Sequence, residues 1–338
     1  MSQEILECAV AQNVRIVRIA WIAHSVTQCF VITAHTGSDK GILVLQRIIF
    51  PLLNGGQVGG NHRLVLNGDS FGVVQTAAVI CNKGVFVGDV VRQAGCDFLR
   101  RELPNLRRFY GADMTIVNGE NAAEGNGILP GSAELILDAG ADVITLGNHA
   151  LRRREIYPML EESDRIIRPA NFHASAPGRG WCLYDCPGKP RVAVINLQGN
   201  YLLESHENAF DCMDRLLEEI DAPVKILDFH AEATSEKICM GLYLDGRVSA
   251  VIGTHTHIQT ADERLLPGGT AYITDAGMCG VFDSALGLAP EPAIRRFRTG
   301  LPTRFESVKG PVRLSGVLLE VDGKTGKAVS IKRVNVDG

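Results

Sequence analysis

Five short polar motifs between residues 85 and 257 carry side chains that can bind metal ions, and each motif follows an apolar run with strand character. Carboxylates, side-chain amides and imidazoles are together the ligands that hold a pair of divalent transition metals. The residue types and their order therefore predict a dinuclear metal hydrolase. The motifs are Gly88-Asp89, Asn118-Gly119-Glu120-Asn121, Gly147-Asn148-His149, Asp228-Phe229-His230 and Gly253-Thr254-His255-Thr256-His257.

Glu120 is the predicted bridging ligand, because one carboxylate can bind two cations about 3.5–4 Å apart. Asp89 and Glu120 are the only anionic ligands in the set, so the neutral amides and imidazoles leave much of the metal charge uncompensated. This charge favours a phosphate and lowers the pKa of a bridging water, which supplies hydroxide near neutral pH.

The histidines of the third and fifth motifs receive different roles. His255 and His257 stand at i and i+2, and in extended chain such side chains face the same side. His149 would point away from Asn148 in extended chain and could reach a substrate. We therefore predict His149 as the general acid that protonates the leaving oxygen; the alternative is that it orients the metal ligands.

Taken singly, these motifs have ordinary structural explanations. Gly-Asp after a strand is a common turn, Asn-Gly-Glu-Asn can cap a helix, and a lone His230 would more often be a buried core residue. The ordered combination of all five favours the metal site.

The elements that must position these motifs alternate in length between strand and helix from residue 83 onward. Such alternation predicts βαβ units around a largely parallel sheet, and right-handed crossovers return successive strands to the same edge. Ligands bind beyond the carboxyl ends of such strands, so we expect all five motifs at one edge of one sheet. The first predicted elements are strands 84–88, 113–117 and 142–146 and helices near 93–109 and 131–139.

Residues 1–83 contain only ten charged residues and a glycine-rich stretch at 54–60. We predict either a weakly ordered extension or upstream sequence translated from a start codon placed too early, ahead of a domain at 84–338. The segment also carries chance copies of functional motifs, Gly60-Asn61-His62 and Gly68-Asp69-Ser70-Phe71-Gly72. The second matches a nucleophile elbow, but a strand is predicted after Ser70 where an elbow requires a helix.

Composition narrows the class of protein. The chain has 338 residues, 46% of them hydrophobic, and a net charge of −4, so it can bury a sizeable core and offers no basic stripe for a nucleic-acid duplex. The nine cysteines are scattered along the chain, which predicts free thiols in a reducing cytoplasm. None of the apolar runs is long enough to predict a transmembrane helix. We expect a cytoplasmic enzyme with a small-molecule phosphoester substrate, and a homo-oligomer is compatible with this sequence.

The motifs resemble those of the calcineurin-like metallophosphoesterases, whose broad pattern is Asp, Gly-Asp, Gly-Asn-His, His and Gly-His-x-His. Longer matches narrow the resemblance to the YmdB-type bacterial phosphodiesterases over residues 84–338. These matches are Asn118 to Ala123, Arg168 to Phe172, Val194 to Gly199, Asp228 to Lys237 and Gly253 to Asp262.

This resemblance implies a fold, a ligand set and a reaction. The fold would be an α/β four-layer αββα sandwich, with two metal ions, iron or manganese. One ion would be held by Asp89, Glu120, Asn121 and His257, and the other by Glu120, Asn148, His230 and His255, with His149 as the catalytic imidazole. The reaction would be hydrolysis of cyclic nucleotides such as 2′,3′-cyclic AMP. The alternatives are another phosphoester substrate, or a regulatory protein with weak catalysis.

The sequence departs from the broad superfamily at two positions. Val91 stands where a ligand histidine is usual, and Ala150 follows Gly-Asn-His where an acidic residue is common. Outside the motifs, we predict a hairpin at residues 311–334. We also predict that residues 151–190 form a cap over the site. Gly125-Asn126-Gly127 and Met278-Cys279-Gly280 are predicted rim loops or ordinary turns.

Overall fold

The computed structural model describes residues 82–185 and 187–338 fully and, within residues 1–81, the backbone of the strand segments. Contacts divide the chain into two units, residues 1–74 and 75–338. The first unit contains a three-stranded antiparallel sheet and a separate antiparallel pair. Its strands are β1 (Ile5–Cys8), β2 (Val14–His24), β3 (Thr27–Thr36), β4 (Val65–Asn67) and β5 (Ser70–Gly72).

The side chains of the copied motifs at 60–62 and 68–72 lie outside the described residues. That residues 1–83 are an extension or arise from a mis-assigned start stays a prediction.

The second unit contains two sheets, of which the first has eight strands. In chain order they are β6 (Cys81–Val87), β7 (Asp89–Val90), β8 (Met114–Asn118), β9 (Val143–Thr145), β10 (Ile166–Ile167), β17 (Met278–Val281), β18 (Val312–Asp322) and β19 (Ala328–Asp337). Their spatial order is β10-β9-β8-β6-β18-β17-β7, with β19 paired to β18. Strands β6, β8, β9 and β10 run parallel.

The second sheet has six strands in the order β11-β12-β13-β14-β16-β15. Strands β12, β13, β14 and β16 are parallel, and the short edge strands are antiparallel to them. The strands are β11 (Trp181–Tyr184), β12 (Val192–Gln198), β13 (Val224–His230), β14 (Ala250–Thr254), β15 (Arg264–Leu265) and β16 (Ala271–Ile273).

Six α-helices accompany the sheets in the described part of the second unit, together with a 3₁₀ turn at Arg154–Ile156. Local signals fix several ends: Asn208 accepts hydrogen bonds from two backbone amides at the start of the fourth helix, and Gly111, with φ of 60°, ends the first helix in a left-handed conformation. The helices are α1 (Arg92–Tyr110), α2 (Pro130–Asp138), α3 (Tyr157–Glu162), α4 (Ala209–Glu219), α5 (Thr234–Tyr243) and α6 (Pro290–Thr299).

Three hydrophobic cores show how the layers stack. Along β6, Val85 and Val87 pack towards α1, α2 and α3, whereas the alternate residue Phe86 packs between the two sheets. Along β13, Leu227 and Phe229 pack towards α4 and α5, whereas Ile226 faces the space between the sheets. The layer order is therefore helices, sheet, sheet, helices, which confirms the predicted αββα sandwich.

The fold confirms one local prediction and contradicts another. The hairpin is confirmed as β18 and β19, but the predicted rim loop at Met278-Cys279-Gly280 is wrong, because these residues are buried in β17. Gly125-Asn126-Gly127 is a turn in which both glycines have positive φ. Within residues 151–190, β10 and β11 are edge strands of the two sheets; that the remainder covers the site stays a prediction.

No helix in the described part of the chain combines the length and the apolar character needed to cross a membrane. The scattered spacing of the cysteines predicts free thiols. In that part of the chain the free cysteines are Cys96, Cys182, Cys212, Cys239 and Cys279.

Candidate metal centre

The five motifs meet where the carboxyl ends of strands from the two sheets come together. Asp89, Glu120 and Asn148 follow strands β6, β8 and β9 of the first sheet. His230 ends β13 and His255 follows β14, both in the second sheet. The expectation of one edge of one sheet is therefore wrong, because the strand pattern along the chain does not specify which sheet each strand joins.

The first group of candidate ligands surrounds Nε2 of His230. This nitrogen lies 3.0 Å from Oε1 of Glu120, 3.1 Å from Oδ1 of Asn148 and 3.0 Å from Nδ1 of His255. Ligand atoms of Glu120, His230 and His255 all lie within 4.8 Å of one another. One ring nitrogen carries at most one proton for hydrogen bonding. A single proton on Nε2 therefore cannot satisfy all three of these neighbouring atoms.

A buried relay orients the ring of His230. Nδ1 of His230 lies 2.9 Å from Oγ1 of Thr254, and that hydroxyl donates to Oδ1 of Asp228 at 2.6 Å. Because the Thr254 proton is given to Asp228, the hydroxyl accepts from Nδ1–H. The proton is thus fixed on Nδ1, and Nε2 faces Glu120, which is how metal-binding imidazoles are commonly oriented.

The second group surrounds the side-chain amide of Asn121. Its Nδ2 lies 3.3 Å from Oδ1 of Asp89, 3.2 Å from Oε1 of Glu120 and 3.1 Å from Nε2 of His257. Nδ1 of His257 is buried and has no hydrogen-bond partner among the described residues. The amide nitrogen therefore occupies a point towards which two carboxylates and an imidazole are directed.

Glu120 joins the two groups. It is fully buried, and its Oε1 contacts both His230 and Asn121, while its Oε2 accepts the backbone N–H of His149 at 3.0 Å. Gly147 makes this approach possible, since a Cβ atom there would lie 2.3 Å from Oε2 of Glu120 and 2.2 Å from Cδ2 of His230.

His149 lies at the rim of the site with its side chain 26% exposed. Its Nδ1 is 3.1 Å from Oδ1 of Asn121 and 3.4 Å from Oε1 of Glu120. The residue occupies a turn after β9 rather than extended chain. Asn121 supports the ring, so the acidic residue that Ala150 replaces is not required for this; Ala150 itself is buried.

The backbone of the His255–His257 segment differs from the extended chain expected from its spacing. Both histidines have positive φ, 95° for His255 and 66° for His257, a conformation that non-glycine residues rarely adopt. The bend sends His255 to the first group and His257 to the second. Two carboxylates hold it, because Oδ2 of Asp89 accepts from His255 N at 3.1 Å and Oδ2 of Asp275 accepts from Thr256 N at 3.0 Å.

Four supporting residues were not assigned roles from the sequence. Glu232 lies 2.8 Å from Nε2 of His255, and Asn118 donates to Asp228 at 3.0 Å. Lys237, which is 1% exposed, pairs with Asp275 at 2.9 Å. Glu232 and Lys237 lie within residues 228–237, one of the segments that match the YmdB-type phosphodiesterases. That match pointed to this segment but did not indicate which residues these two side chains contact.

Burial and the neighbouring charges together set the pKa values of the site. Burial opposes ionisation of Glu120, but the charge of His230 and hydrogen bonds to the carboxylate hold its pKa well below the usual value. Burial likewise opposes the charge on His230, yet Glu120 and then Asp89 raise its pKa to about 9. Burial and the charge of His230 lower the pKa of His255 to about 4. Asp89 overcomes burial to raise the pKa of His257.

This donor set fits divalent cations. Carboxylate, amide and neutral imidazole groups converge in two adjoining groups that share one carboxylate, and this is the chemistry of first-row transition-metal sites. The raised pKa values of His230 and His257 show that the buried carboxylates favour positive charge at these rings, as they would favour a bound cation. Val91, at the position of the missing ligand histidine, is buried and contributes no donor.

Comparisons with known proteins extend these observations. The profile of the family described as YmdB-like protein matches residues 85–334. The chain is 46% identical over 255 residues to a 2′,3′-cyclic-nucleotide 2′-phosphodiesterase of Bacillus subtilis strain 168, and the match covers 75% of this chain and 96% of the relative.

Two solved structures are also similar. A hypothetical protein from Thermus thermophilus superposes with a TM-score of 0.72 and 39% identity, covering 75% of this chain and 99% of the other. A structure described as a novel phosphatase of Mycoplasma pneumoniae superposes with a TM-score of 0.72 and 35% identity, covering 76% of this chain and 94% of the other.

Proposed function

We propose that this chain, which belongs to the YmdB-like protein family, is a metal-dependent phosphodiesterase that hydrolyses 2′,3′-cyclic nucleotides. The relative named as a cyclic-nucleotide phosphodiesterase supports the reaction class, and the phosphatase structure supports phosphoester hydrolysis more broadly. The observation that carries the proposal is the position of Glu120, whose buried carboxylate touches both groups of candidate ligands.

Seven side chains would hold two cations. Glu120 would be shared, with His230, His255 and Asn148 completing one site and Asp89, His257 and Asn121 the other. A bound pair of cations supplies positive charge for the phosphoryl oxygens and lowers the pKa of a bound water. Imidazole and carboxylate ligands suit iron and manganese, which we propose as the metals.

Asn121 has two tasks in this arrangement. Its Nδ2 faces the candidate ligands Asp89 and His257, and its Oδ1 faces Nδ1 of His149. Rotation of the amide by half a turn would present Oδ1 to a cation and Nδ2 to His149. In that orientation the amide donates to Nδ1 of His149, which leaves the ring proton on Nε2.

His149 would act on the substrate as a general acid. Its backbone is fixed by Glu120 and its ring by Asn121, while part of the side chain faces solvent at the rim. A proton held on Nε2 can be given to the departing alkoxide when the ring P–O bond breaks. Such proton transfer contributes typically 10²–10⁴-fold to rate.

The proposal is tested by a substrate panel run on protein of known metal content. Purified protein would be assayed against 2′,3′-cyclic AMP, 3′,5′-cyclic AMP and a phosphomonoester, with manganese and iron measured by elemental analysis. The expected result is metal-dependent cleavage with preference for the 2′,3′-cyclic diester. Preference for the monoester would show that the substrate class is a phosphomonoester and not a cyclic diester. Metal-loaded protein that hydrolyses none of the substrates would favour a regulatory role. Cytoplasmic location and homo-oligomer formation stay predictions.

A further inference from the structure

The loop at residues 199–208 begins beside the candidate metal centre. Strand β12 pairs in parallel with β13 so that Gln198 lies opposite His230, and Gly199 N donates to the carbonyl oxygen of His230 at 3.0 Å. Two residues of extended chain span at most roughly 7 Å. The Cα atom of Tyr201 is therefore within that distance of the Cα atom of Gly199, at the same edge as the metal ligands.

The backbone of this loop is held at several points. Oε1 of Glu236 accepts hydrogen bonds from Asn200 N at 2.8 Å and Tyr201 N at 3.3 Å. The side chain of Asn200 crosses the loop, since its Nδ2 donates to the carbonyl of Glu207 at 3.0 Å and its Oδ1 accepts from Ala209 N at 2.8 Å. The position of Tyr201 is thus fixed by its neighbours and not by its own ring.

The ring of Tyr201 projects from this fixed backbone without a partner. The residue is 63% exposed, and within the described residues its ring has no aromatic contact and its hydroxyl no hydrogen bond. Two other exposed aromatic residues differ in this respect: Phe109 packs edge-on against Tyr110, and Tyr243 packs against Phe210. A large ring held in water by an anchored loop gains free energy when a ligand covers it.

We propose that Tyr201 is a stacking platform for the nucleobase of a substrate whose phosphate is held at the metal centre; this inference rests on the proposed function. An aromatic face stacks on any base, because every base has a π-face. The amide of Asn200, the nearest polar side chain in sequence, is already bonded within the loop and offers no donor for reading base edges. The expected class is therefore nucleoside phosphates in general, with little choice of base.

The test compares substrates with and without a base. Wild-type enzyme, Tyr201→Ala and Tyr201→Phe would be assayed with 2′,3′-cyclic AMP, 2′,3′-cyclic UMP and the base-free diester glycerol 1,2-cyclic phosphate. We expect Tyr201→Ala to lower kcat/KM about tenfold for both nucleotides, mainly through KM, because stacking is lost. The same variant should cleave the base-free diester at the wild-type rate, and Tyr201→Phe should behave as wild type throughout.

Phe109→Ala is the matched control, because Phe109 is an exposed aromatic residue at the far end of α1. It should change none of the three activities. If Tyr201→Ala lowers kcat/KM equally for the nucleotides and the base-free diester, or for none of the substrates, Tyr201 is not a stacking platform. If the wild-type enzyme prefers the base-free diester, the nucleotide class is wrong although hydrolysis stands. If it cleaves none of the three, the proposed function itself fails.

Discussion

Oγ1 of Thr254 lies 2.9 Å from Nδ1 of His230, and this contact decides which ring nitrogen faces Glu120. Thr254→Val removes the hydroxyl but keeps the branched shape at the end of β14. We expect metal affinity to fall about 10–100-fold, the usual effect of losing a group that orients a ligand histidine. Equilibrium dialysis against manganese, followed by elemental analysis, measures this change.

Thr270→Val is the control for Thr254→Val. Thr270 is also fully buried, and its hydroxyl donates to the carbonyl of Val248 at 2.6 Å, so the variant removes a comparable hydrogen bond away from the ligands. It should lower stability while leaving metal affinity within about twofold of wild type. Equal loss of metal affinity in both variants would contradict an orienting role for Thr254.

The buried pair of Lys237 and Asp275 supports the bend that carries two candidate ligands. Asp275 accepts from Thr256 N and from Gly277 N, and the carbonyl of Gly277 accepts from Asp89 N. Lys237→Met leaves the carboxylate of Asp275 buried without its cation. We expect the free energy of unfolding to fall by about 3–5 kcal/mol, measured by chemical denaturation of metal-free protein.

A surface pair gives the comparison for Lys237→Met. Arg247 pairs with Asp214, and both side chains are about two-fifths exposed. Arg247→Met should therefore change the free energy of unfolding by no more than about 1 kcal/mol. If both variants lose the same small amount, the buried pair does not stabilise the bend.

His149→Ala tests the assignment of the general acid. The ring contacts Asn121 and Glu120 only through Nδ1, so its removal should leave both cations bound. Turnover of a 2′,3′-cyclic nucleotide should fall by roughly 10²–10⁴-fold, the scale of general acid catalysis. A variant that loses its metals would instead show that His149 supports the ligands.

Metal uptake should depend on pH through His230. Its pKa of about 9 means that the ring is protonated at neutral pH, and a cation must displace that proton from Nε2. Affinity for manganese should therefore rise between about pH 6 and pH 8, with proton release on binding. Calorimetry in buffers of different ionisation enthalpy measures the protons, and affinity independent of pH would contradict the assignment of His230.

The sequence located the candidate ligands because each of them follows a strand, and the carboxyl ends of parallel strands share an edge. It did not indicate that β6 and β13 belong to different sheets, since alternation of strand and helix is the same in both. Nor did it predict the positive φ of His255 and His257, in a bend held by Asp89 from a distant part of the chain and by Asp275. The partners Glu232 and Lys237 required the fold for the same reason.

Short buried strands were the other source of error. Met278-Cys279-Gly280 has neither alternation nor length, so its glycine and sequence context favoured a loop. In the fold these residues pair with β7 and β18 and are fully enclosed. Such a strand is stabilised by its neighbours and carries little signal of its own.

The central claim is that two cations share the carboxylate of Glu120, and anomalous diffraction from crystals of manganese-loaded protein tests it most directly. We expect two peaks about 3.5–4 Å apart, each in contact with Glu120. One peak should also contact His230 and His255, and the other Asp89 and His257. A single peak, or a pair of peaks that does not touch Glu120, would contradict the account.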